Sequence, residues 1–580
     1  MRKWVGEILG AAILVAAAAA VAIPFRQEAM AVLRWETLGW DAAHHATVGL
    51  DLFDDMAHLR LGGALATFFS QHWWSPFFGV VLTPFYAFFG RSLSSASLPS
   101  FTAFLLTPAA AWLAARRLSG DRGPLSSASG LFLVAVLLLD APLLVEMSSW
   151  PMFESLGGLL ALVAWLFFAG RESAGALRVA CALGAALWFL KYHYGVFLLP
   201  VFAVVLWREA RPVRAEARAA LDGLLPRRLV APASLAAVVL AAVRLVLQAR
   251  DPHTRFPSVP NAAYAFLIFL VLQAALRWRR AAEAWTGLPG PLKTFGTWAV
   301  LPIATWCLNP ANMRAWYNET FLAPPATRAR PLEQLAAFAG FLRDEYTSSP
   351  IALAVVAAGL LLAMAVPGEG ASTRRAMACF VLWPVGLMAM SPFPVEARFL
   401  GCLVPSLCAV SVASMLSVLG RMRPGVRAAA AAATCAAMLV PAVSGRAAFS
   451  KDLALRTGYR YGYPPEDAAF AVALEGMLRG QGPIFVNSSG MPPIGPTLRL
   501  GLRLSHRELA PTDVEVESLS IPRLAGHMRD AGPRSALVAV EESLAAELEA
   551  SPGLAVAGRR DGPAVPGGAG RVVVYDVRVK

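Results

Sequence analysis

The run Ile8–Phe25, ILGAAILVAAAAAVAIPF, and the segment that follows it, Trp40-Asp41-Ala42-Ala43-His44-His45, decide how this chain is read. An uncharged apolar run of this length is about what a helix needs to cross the hydrocarbon core of a bilayer. The chain leaves that run at Arg26 and then presents a carboxylate, two imidazoles and, further on, Asp51, Asp54 and Asp55. A polar cluster held at a membrane surface by a preceding span is a natural place for a general base that works on a lipid-borne substrate.

Working outward, the whole chain has membrane composition. It is 57% hydrophobic and 15% charged over 580 residues, against roughly 25% charge in an average soluble protein, with a mean hydropathy of +0.55. Ala/Leu/Val/Phe runs recur to about residue 445, so the chain reads as a polytopic membrane protein. The net charge of +13 could point to nucleic acid, but the arginines sit in short loops between apolar runs, as cytoplasmic loops require. No nucleic-acid partner is expected. Met1-Arg2-Lys3 before an Ala-rich run resembles a signal peptide; with so many spans after it, a retained signal-anchor is the better reading. The six cysteines all fall in hydrophobic segments with no CxxC spacing, and read as small core residues.

Charge sets the expected topology. Arg116-Arg117 with Arg122, the group Arg208 to Arg228, Arg277 with Arg279-Arg280, Arg374-Arg375, and Arg421 with Arg423 and Arg427 belong in the cytoplasm. Spans near 229–247 and 261–276 then bracket an outer loop from Asp251 to Asn261. Spans near 296–308 and 351–366 bracket another from Asn309 to Pro350. Spans near 376–391 and 399–420 bracket a short one, Ser391–Arg398, and a last span near 428–445 leads out. Phe77–Gly90 and Phe101–Ala115 cannot both cross if Arg116-Arg117 is inside, so Ser75–Gly90 is taken as re-entrant, interfacial or half a crossing. Lys191-Tyr192-His193-Tyr194 splits 176–207 into two spans hinged at the outer surface. The total is about thirteen spans, which places the C-terminus outside.

The expected fold is an all-α membrane domain over 1–447, with an outer loop 26–75, followed by a small extracytoplasmic α/β domain over 448–580. In that tail Glu466–Arg479 and the stretches 521–530 and 542–550 read as helices, and Ile484–Val486, Ala536–Val540 and Val572–Val579 as strands. Gly567-Gly568-Ala569-Gly570 lacks the strand-before, helix-after context of a nucleotide loop and reads as a turn. Asn318-Glu319-Thr320 and Asn487-Ser488-Ser489 match the glycosylation sequon, a pattern common by chance.

On this topology the outer face gathers Asp41, His44, His45, Asp54, Asp55, Glu146, Glu154, Lys191, His193, Glu396 and Arg398. Ionisable groups at membrane depth are expensive and mark function by default. Each also has a plainer reading. Asp41 and Glu154 could cap helices, Asp54-Asp55 read as a solvated face or cap, Lys191 could snorkel and Arg398 could anchor to headgroups. Of His44 and His45, neighbours that cannot share a helical face, one should face the site and the other water. A carboxylate base plus separated cations suits transfer from a phosphate-linked donor: the base takes the acceptor's proton and the cations stabilise the leaving phosphate.

Several segments together resemble the GT-C class of membrane glycosyltransferases, in its bacterial branch related to protein O-mannosyltransferases and aminoarabinose transferases. Trp40-Asp41 with His44/His45 resembles the first outer-loop acidic motif. His72-Trp73-Trp74-Ser75-Pro76 with Tyr86–Gly90 resembles the proline-led segment, and Ala114–Leu118 the next basic span end. Leu190-Lys191-Tyr192 resembles the Thr-Lys-Tyr-like element, and Glu396–Leu400 with Pro405 the Arg-Tyr-Leu…Pro element. The chain departs from the pattern at Ala42, where many members carry a second acid, at Ser75, where a second proline is usual, and before Lys191, where the Thr is missing.

The resemblance implies an inverting glycosyltransferase of the bacterial inner membrane. It would move a sugar from a polyprenyl-phosphate donor to a lipid, glycan or protein acceptor at the outer face, with membrane lipids around it and no covalent enzyme intermediate. Asp41 would be the base, and Lys191 or Arg398 would face the donor phosphate. His44, His45, Glu154 and His193 would join the substrate site. The carboxylates and histidines would suit a divalent metal, but the class includes enzymes that need none, so no metal or other cofactor is assigned. A flippase for lipid-linked saccharides and a non-catalytic envelope assembly protein are the alternatives.

Overall fold

The computed structural model describes residues 2–70, 77–120, 123–139, 141–210, 278–309, 331–389, 396–439 and 464–579, apart from isolated positions and short breaks. The expected spans near 229–247 and 261–276 with the loop between them, the arginines from Arg211 to Arg228, the motif His72–Pro76, the sequon at Asn318 and the loop Ser391–Pro394 lie outside the described residues.

The first half is a bundle of helices: α1 (Arg2–Val32), α2 (Trp40–Ala57), α3 (Leu61–Ser70), α4 (Phe77–Phe89), α5 (Leu93–Ser119), α6 (Pro124–Leu139), α7 (Pro142–Ser148), α8 (Glu154–Phe168), α9 (Ala174–Leu190) and α10 (Tyr192–Glu209). After the segment 278–307 and Pro331–Phe341 come α11 (Pro350–Ala365), α12 (Ala371–Ala389) and α13 (Val404–Leu419). On α1, Leu14, Ala18, Ala22, Phe25 and Ala29 are buried, while Ile8, Leu9 and Ile13 are exposed. That 3–4 spacing turns one stripe to the bundle and leaves an apolar outer face. Among the described residues, Val5–Ala31 and Leu93–Ser119 are long and apolar enough to cross a membrane. The pair α6–α7, bent by 70°, adds a third if it is one span. The other apolar helices, α4, α8, α9, α11, α13 and Pro424–Leu439, are shorter.

Small residues set the helix spacing where the chemistry lies. A Cβ on Gly49 of α2 would sit 2.6 Å from Leu82 Cβ of α4, and one on Gly79 of α4 would sit 2.9 Å from Val48 Cγ1 of α2. Two facing glycines thus bring these backbones together, and the Tyr86 hydroxyl donates to the Ala46 carbonyl at 3.0 Å. At the basic end, buried Arg374 donates to the Leu118 carbonyl at 2.6 Å and to the Val366 carbonyl at 3.3 Å, satisfying chain ends that no helix bond can reach.

The C-terminal region is a five-stranded sheet of β1 (Ile484–Asn487), β2 (Val514–Glu517), β3 (Ala536–Glu541), β4 (Leu554–Ala564) and β5 (Arg571–Val579), in the order β2-β1-β3-β5-β4. β1 pairs in parallel with β2 and β3; β5 pairs antiparallel with β3 and β4. Alternate residues face opposite layers. Ile484, Val486, Val572 and Val574 pack with Phe470, Leu474, Leu498 and Leu502 of α14 (Pro465–Met477) and α15 (Gly495–Ser505). Phe485, Val573 and Tyr575 pack with Leu524, Met528 and Leu548 of α16 (Ile521–Ala531) and α17 (Ala545–Glu549). Gly567, at φ +66°, lies in the β4–β5 turn, which Val565 N–H closes onto Gly570 O at 3.0 Å. Asn487 is fully buried in β1, so its sequon is not a surface acceptor.

Two sequence readings are corrected here. Asp54 and Asp55 are not a solvated face: with Asp51 they are 1–3% exposed. Asp55 pairs with Arg60 at 2.9 Å, and Asp54 pairs with Arg91 and Arg503. The cause is α15, absent from the sequence reading, which sets arginines against that face of α2. Strands β2 and β4 were also not anticipated. β2 is only four residues of alternating Val and Glu, and β4 is a charged, glycine-bearing edge with register breaks.

Replacing Gly49 by Leu should force α2 and α4 apart. The expected loss is about 1–3 kcal/mol of stability from overpacking, read as a lower apparent melting temperature in detergent. Gly62→Leu, where a Cβ meets nothing within 4 Å, should leave it unchanged.

Candidate functional site

Four chain breaks converge on one cluster. Asp41 lies in the first turn of α2, where a carboxylate complements the helix dipole, and His45 follows one turn later. The α7–α8 junction supplies Phe153 and Glu154. Lys191 is the one extended residue between α9 and α10, at φ −156° and ψ 118°, and His193 and Tyr194 begin α10. The turn Ala397–Cys402 carries Arg398 and Phe399. Close packing of these breaks depends on three glycines. A Cβ on Gly157 would meet Tyr194 at 2.7 Å, one on Gly158 would meet Pro405 at 2.9 Å, and one on Gly401 would meet Glu154 Cβ at 3.0 Å.

Two groups of ion pairs lie within it. Lys191 Nζ is 3.7 Å from Glu154 Oε1, with the two side chains 2% and 0% exposed. Arg398 pairs with Asp41 and with Glu396; the Asp41 and Arg398 side chains are each 12% exposed. The first pair is therefore sealed inside the bundle, and the second sits at the rim. The lysine also lies 4.5 Å from the ring centres of both Phe153 and Phe399, and the Arg398 guanidinium 5.7 Å from the Phe399 ring. Ring faces next to desolvated cations add to the carboxylate attraction. Phe399 thus stands between the two cations.

The histidines differ. His45 is buried with its ring 4.6 Å from that of Phe153 and 5.7 Å from that of Phe78. His44 is half-buried, its ring 5.8 Å from that of His45. Burial, reinforced by the positive charge of His44, Lys191 and Arg398, pushes the His45 imidazole well below its ordinary pKa. It is a neutral donor and acceptor at physiological pH. His193 lies 5.3 Å from Phe399 and 5.0 Å from Tyr194, ring to ring. Asp41, His45, Glu154, Lys191, His193 and Arg398 therefore come together, with His44 at the edge. Among the described residues no three His, Cys, Asp or Glu side chains form a group that could hold a metal ion.

Beside the cluster is an apolar cavity of about 280 Å³ walled by Phe68, Phe69, Phe77, Phe189 and Trp306. Phe189 lies in the last turn of α9, two residues before Lys191, so the cavity reaches the helix break that carries the sealed pair. Sequence reasoning missed this wall, and it missed Phe153 and Phe399, because an aromatic residue in an apolar run carries no signal of its own. The glycines at 157, 158 and 401 were legible only as small residues.

No protein-family model and no curated protein matches the chain. Solved structures do. ArnT from Cupriavidus metallidurans in the apo state aligns over 99% of this chain and 97% of its own, with TM-score 0.52 and 14% identity. The same ArnT bound to undecaprenyl phosphate aligns over 99% and 98%, again at 0.52 and 14%. The archaeal oligosaccharyltransferase AglB from Archaeoglobus fulgidus aligns over 92% of this chain and 69% of its own, at TM-score 0.48 and 10% identity. At these identities the likeness is one of fold: the chain has an ArnT-like architecture.

Removing one member of the sealed pair should expose its cost. Lys191→Met leaves Glu154 a buried carboxylate without its lysine and should destabilise the protein by about 3–5 kcal/mol. Adding Glu154→Gln should regain most of that loss, and melting of the two single variants and the double variant measures the coupling.

Proposed function

We propose that this chain is an integral-membrane glycosyltransferase that moves a sugar from a polyprenyl-phosphate donor to an acceptor hydroxyl. The observation that carries the reading is the rim pair Asp41–Arg398 lying against the sealed pair Glu154–Lys191, beside an aromatic cavity, on an ArnT-like architecture. ArnT has been captured with undecaprenyl phosphate, and the donor lipid is carried to this chain as the same class. The cavity's largely aromatic wall suits the first isoprene units. The two cations suit the phosphate, since each can take a phosphate oxygen alongside its carboxylate partner.

Asp41 is the base in this reading. Arg398 orients it at the rim, where an acceptor can reach it. It takes the proton of the acceptor hydroxyl while that oxygen attacks the anomeric carbon from the face opposite the departing phosphate, so the configuration inverts. The bond from anomeric carbon to phosphate oxygen breaks, and the phosphate leaves on its lipid with its charge balanced by Lys191 and Arg398. His44, His45, Glu154 and His193 belong to the same cluster and, in this reading, orient donor and acceptor. The membrane region, 1–447, crosses the inner membrane about thirteen times and the region 448–580 lies outside it. The arginine-bearing loops at the opposite end of the bundle from Asp41 support that orientation.

Asp41→Asn keeps the side-chain size and removes the base. It should cut turnover by about 10²–10⁴ while donor binding and expression persist; near wild-type turnover would move the base to Glu154. Lys191→Ala, assayed on the monodisperse fraction, should instead weaken donor binding. A periplasm-dependent reporter fused after Lys580 should be active, and activity from a cytoplasm-dependent reporter there would overturn the orientation.

A further inference from the structure

Helix α15 belongs to two cores at once. Leu498 and Leu502 pack on the sheet, whereas Leu500 packs into the helical bundle. Its charged face meets α2. Arg503, fully buried, donates from Nε to Asp51 Oδ1 at 2.9 Å and pairs with Asp54, and Arg499 Nη2 reaches Asp51 Oδ2 at 3.0 Å. Arg91, just before α5, closes on the same Asp54. The Thr497 hydroxyl donates to the Leu38 carbonyl at 3.1 Å, directly before α2. A Cβ on Gly501 would lie 2.6 Å from the Trp35 ring, so the helix backbone sits flush on that indole.

Asp51 and Asp54 lie on the helix that begins with Asp41, about 15–20 Å along its axis at 1.5 Å per residue. At about 100° per residue, Asp41 lies roughly 80° from Asp51 and 140° from Asp54 around that axis. Three arginines from outside α2 therefore fix the helix rotation through one face, and that rotation fixes where another face points. Without Arg503, Asp51 keeps only the one-third-exposed Arg499 and Asp54 only Arg91, so both buried carboxylates are drawn toward water, and a rigid helix can bring them there only by turning. Any such turn swings Asp41 off Arg398 and His45 off Phe153.

We infer that Arg503 is a positioning residue for the reaction: through Asp51 and Asp54 the C-terminal region sets the rotation of α2 and so the aim of Asp41. This rests on the glycosyltransferase reading above. The test compares wild type, Arg503→Met and Arg499→Gln in the full-length protein. Sugar transfer is assayed with a polyprenyl-phosphate sugar, and hydrogen exchange is followed over residues 40–57 and 154–194.

Arg503→Met should lower kcat at least about tenfold, as a small misplacement of a reacting group does, with the donor KM near wild type. Exchange should rise across 40–57 and stay unchanged over 154–194. Arg499→Gln, whose native side chain is one-third exposed, should give a smaller change in the same direction and keeps the test decisive if Arg503→Met does not fold. Combining Asp51→Asn with Arg503→Gln should restore part of kcat, by replacing the ionic contact with a neutral hydrogen-bonded one. A folded variant with wild-type kcat, or a uniform rise in exchange over both segments, overturns the inference. If wild type transfers no sugar from such donors, the glycosyltransferase reading falls, and the exchange difference alone decides whether Arg503 holds α2.

Discussion

A charge inside an apolar helical bundle needs a partner, and the arrangement of this protein follows from that constraint. Desolvating an isolated carboxylate or ammonium is so unfavourable that an unpaired one would neutralise or leave. Glu154 and Lys191 are both buried, come from different helix junctions, and stand within ion-pair distance. For that pair to exist, α8 must meet the α9–α10 break closely. Gly157 allows the approach, and Gly158 and Gly401 let the Arg398 turn close over it.

The same constraint explains why the site is built at chain breaks. Inside a helix, side chains point outward and backbone groups are satisfied. At a helix start or an extended hinge residue, the side chain can point along the bundle axis and reach its counterpart. Lys191, extended between two helices, and Asp41 and Glu154, at helix starts, are all of this kind. Phe153 and Phe399 complete the surroundings, presenting ring faces to the cations and excluding water from the pair beneath.

Farther along α2 the constraint is met by a different part of the chain. Asp51 and Asp54 are neutralised by arginines more than 440 residues away in sequence. A helix shared by the sheet core and the bundle core carries these arginines, so the C-terminal region is bound to the helix that bears Asp41 by both apolar burial and charge. Burial raises the Asp54 carboxyl even against the opposing pull of Arg503 and Arg91.

By itself the sequence determined what composition and local pattern can encode. Long apolar runs dictated helices in a membrane, Lys191 dictated a break in 176–207, and short Val-rich apolar runs dictated three strands of the tail sheet. The rarity of ionisable residues in such surroundings was enough to single out Asp41, Glu154, Lys191 and Arg398 as a group to follow. Which of them would touch was decided by tertiary structure, because a pairing such as Asp41 with Arg398 spans most of the bundle in sequence and leaves no local trace. Tertiary structure also decided that Asp51 and Asp54 are buried: aspartates interleaved with Leu50, Leu52 and Phe53 carry no local sign of which side faces a partner, and the docking of α15 removes them from water. Local pattern reports what a segment prefers to bury, whereas the partner that makes burying a charge affordable comes from elsewhere in the chain.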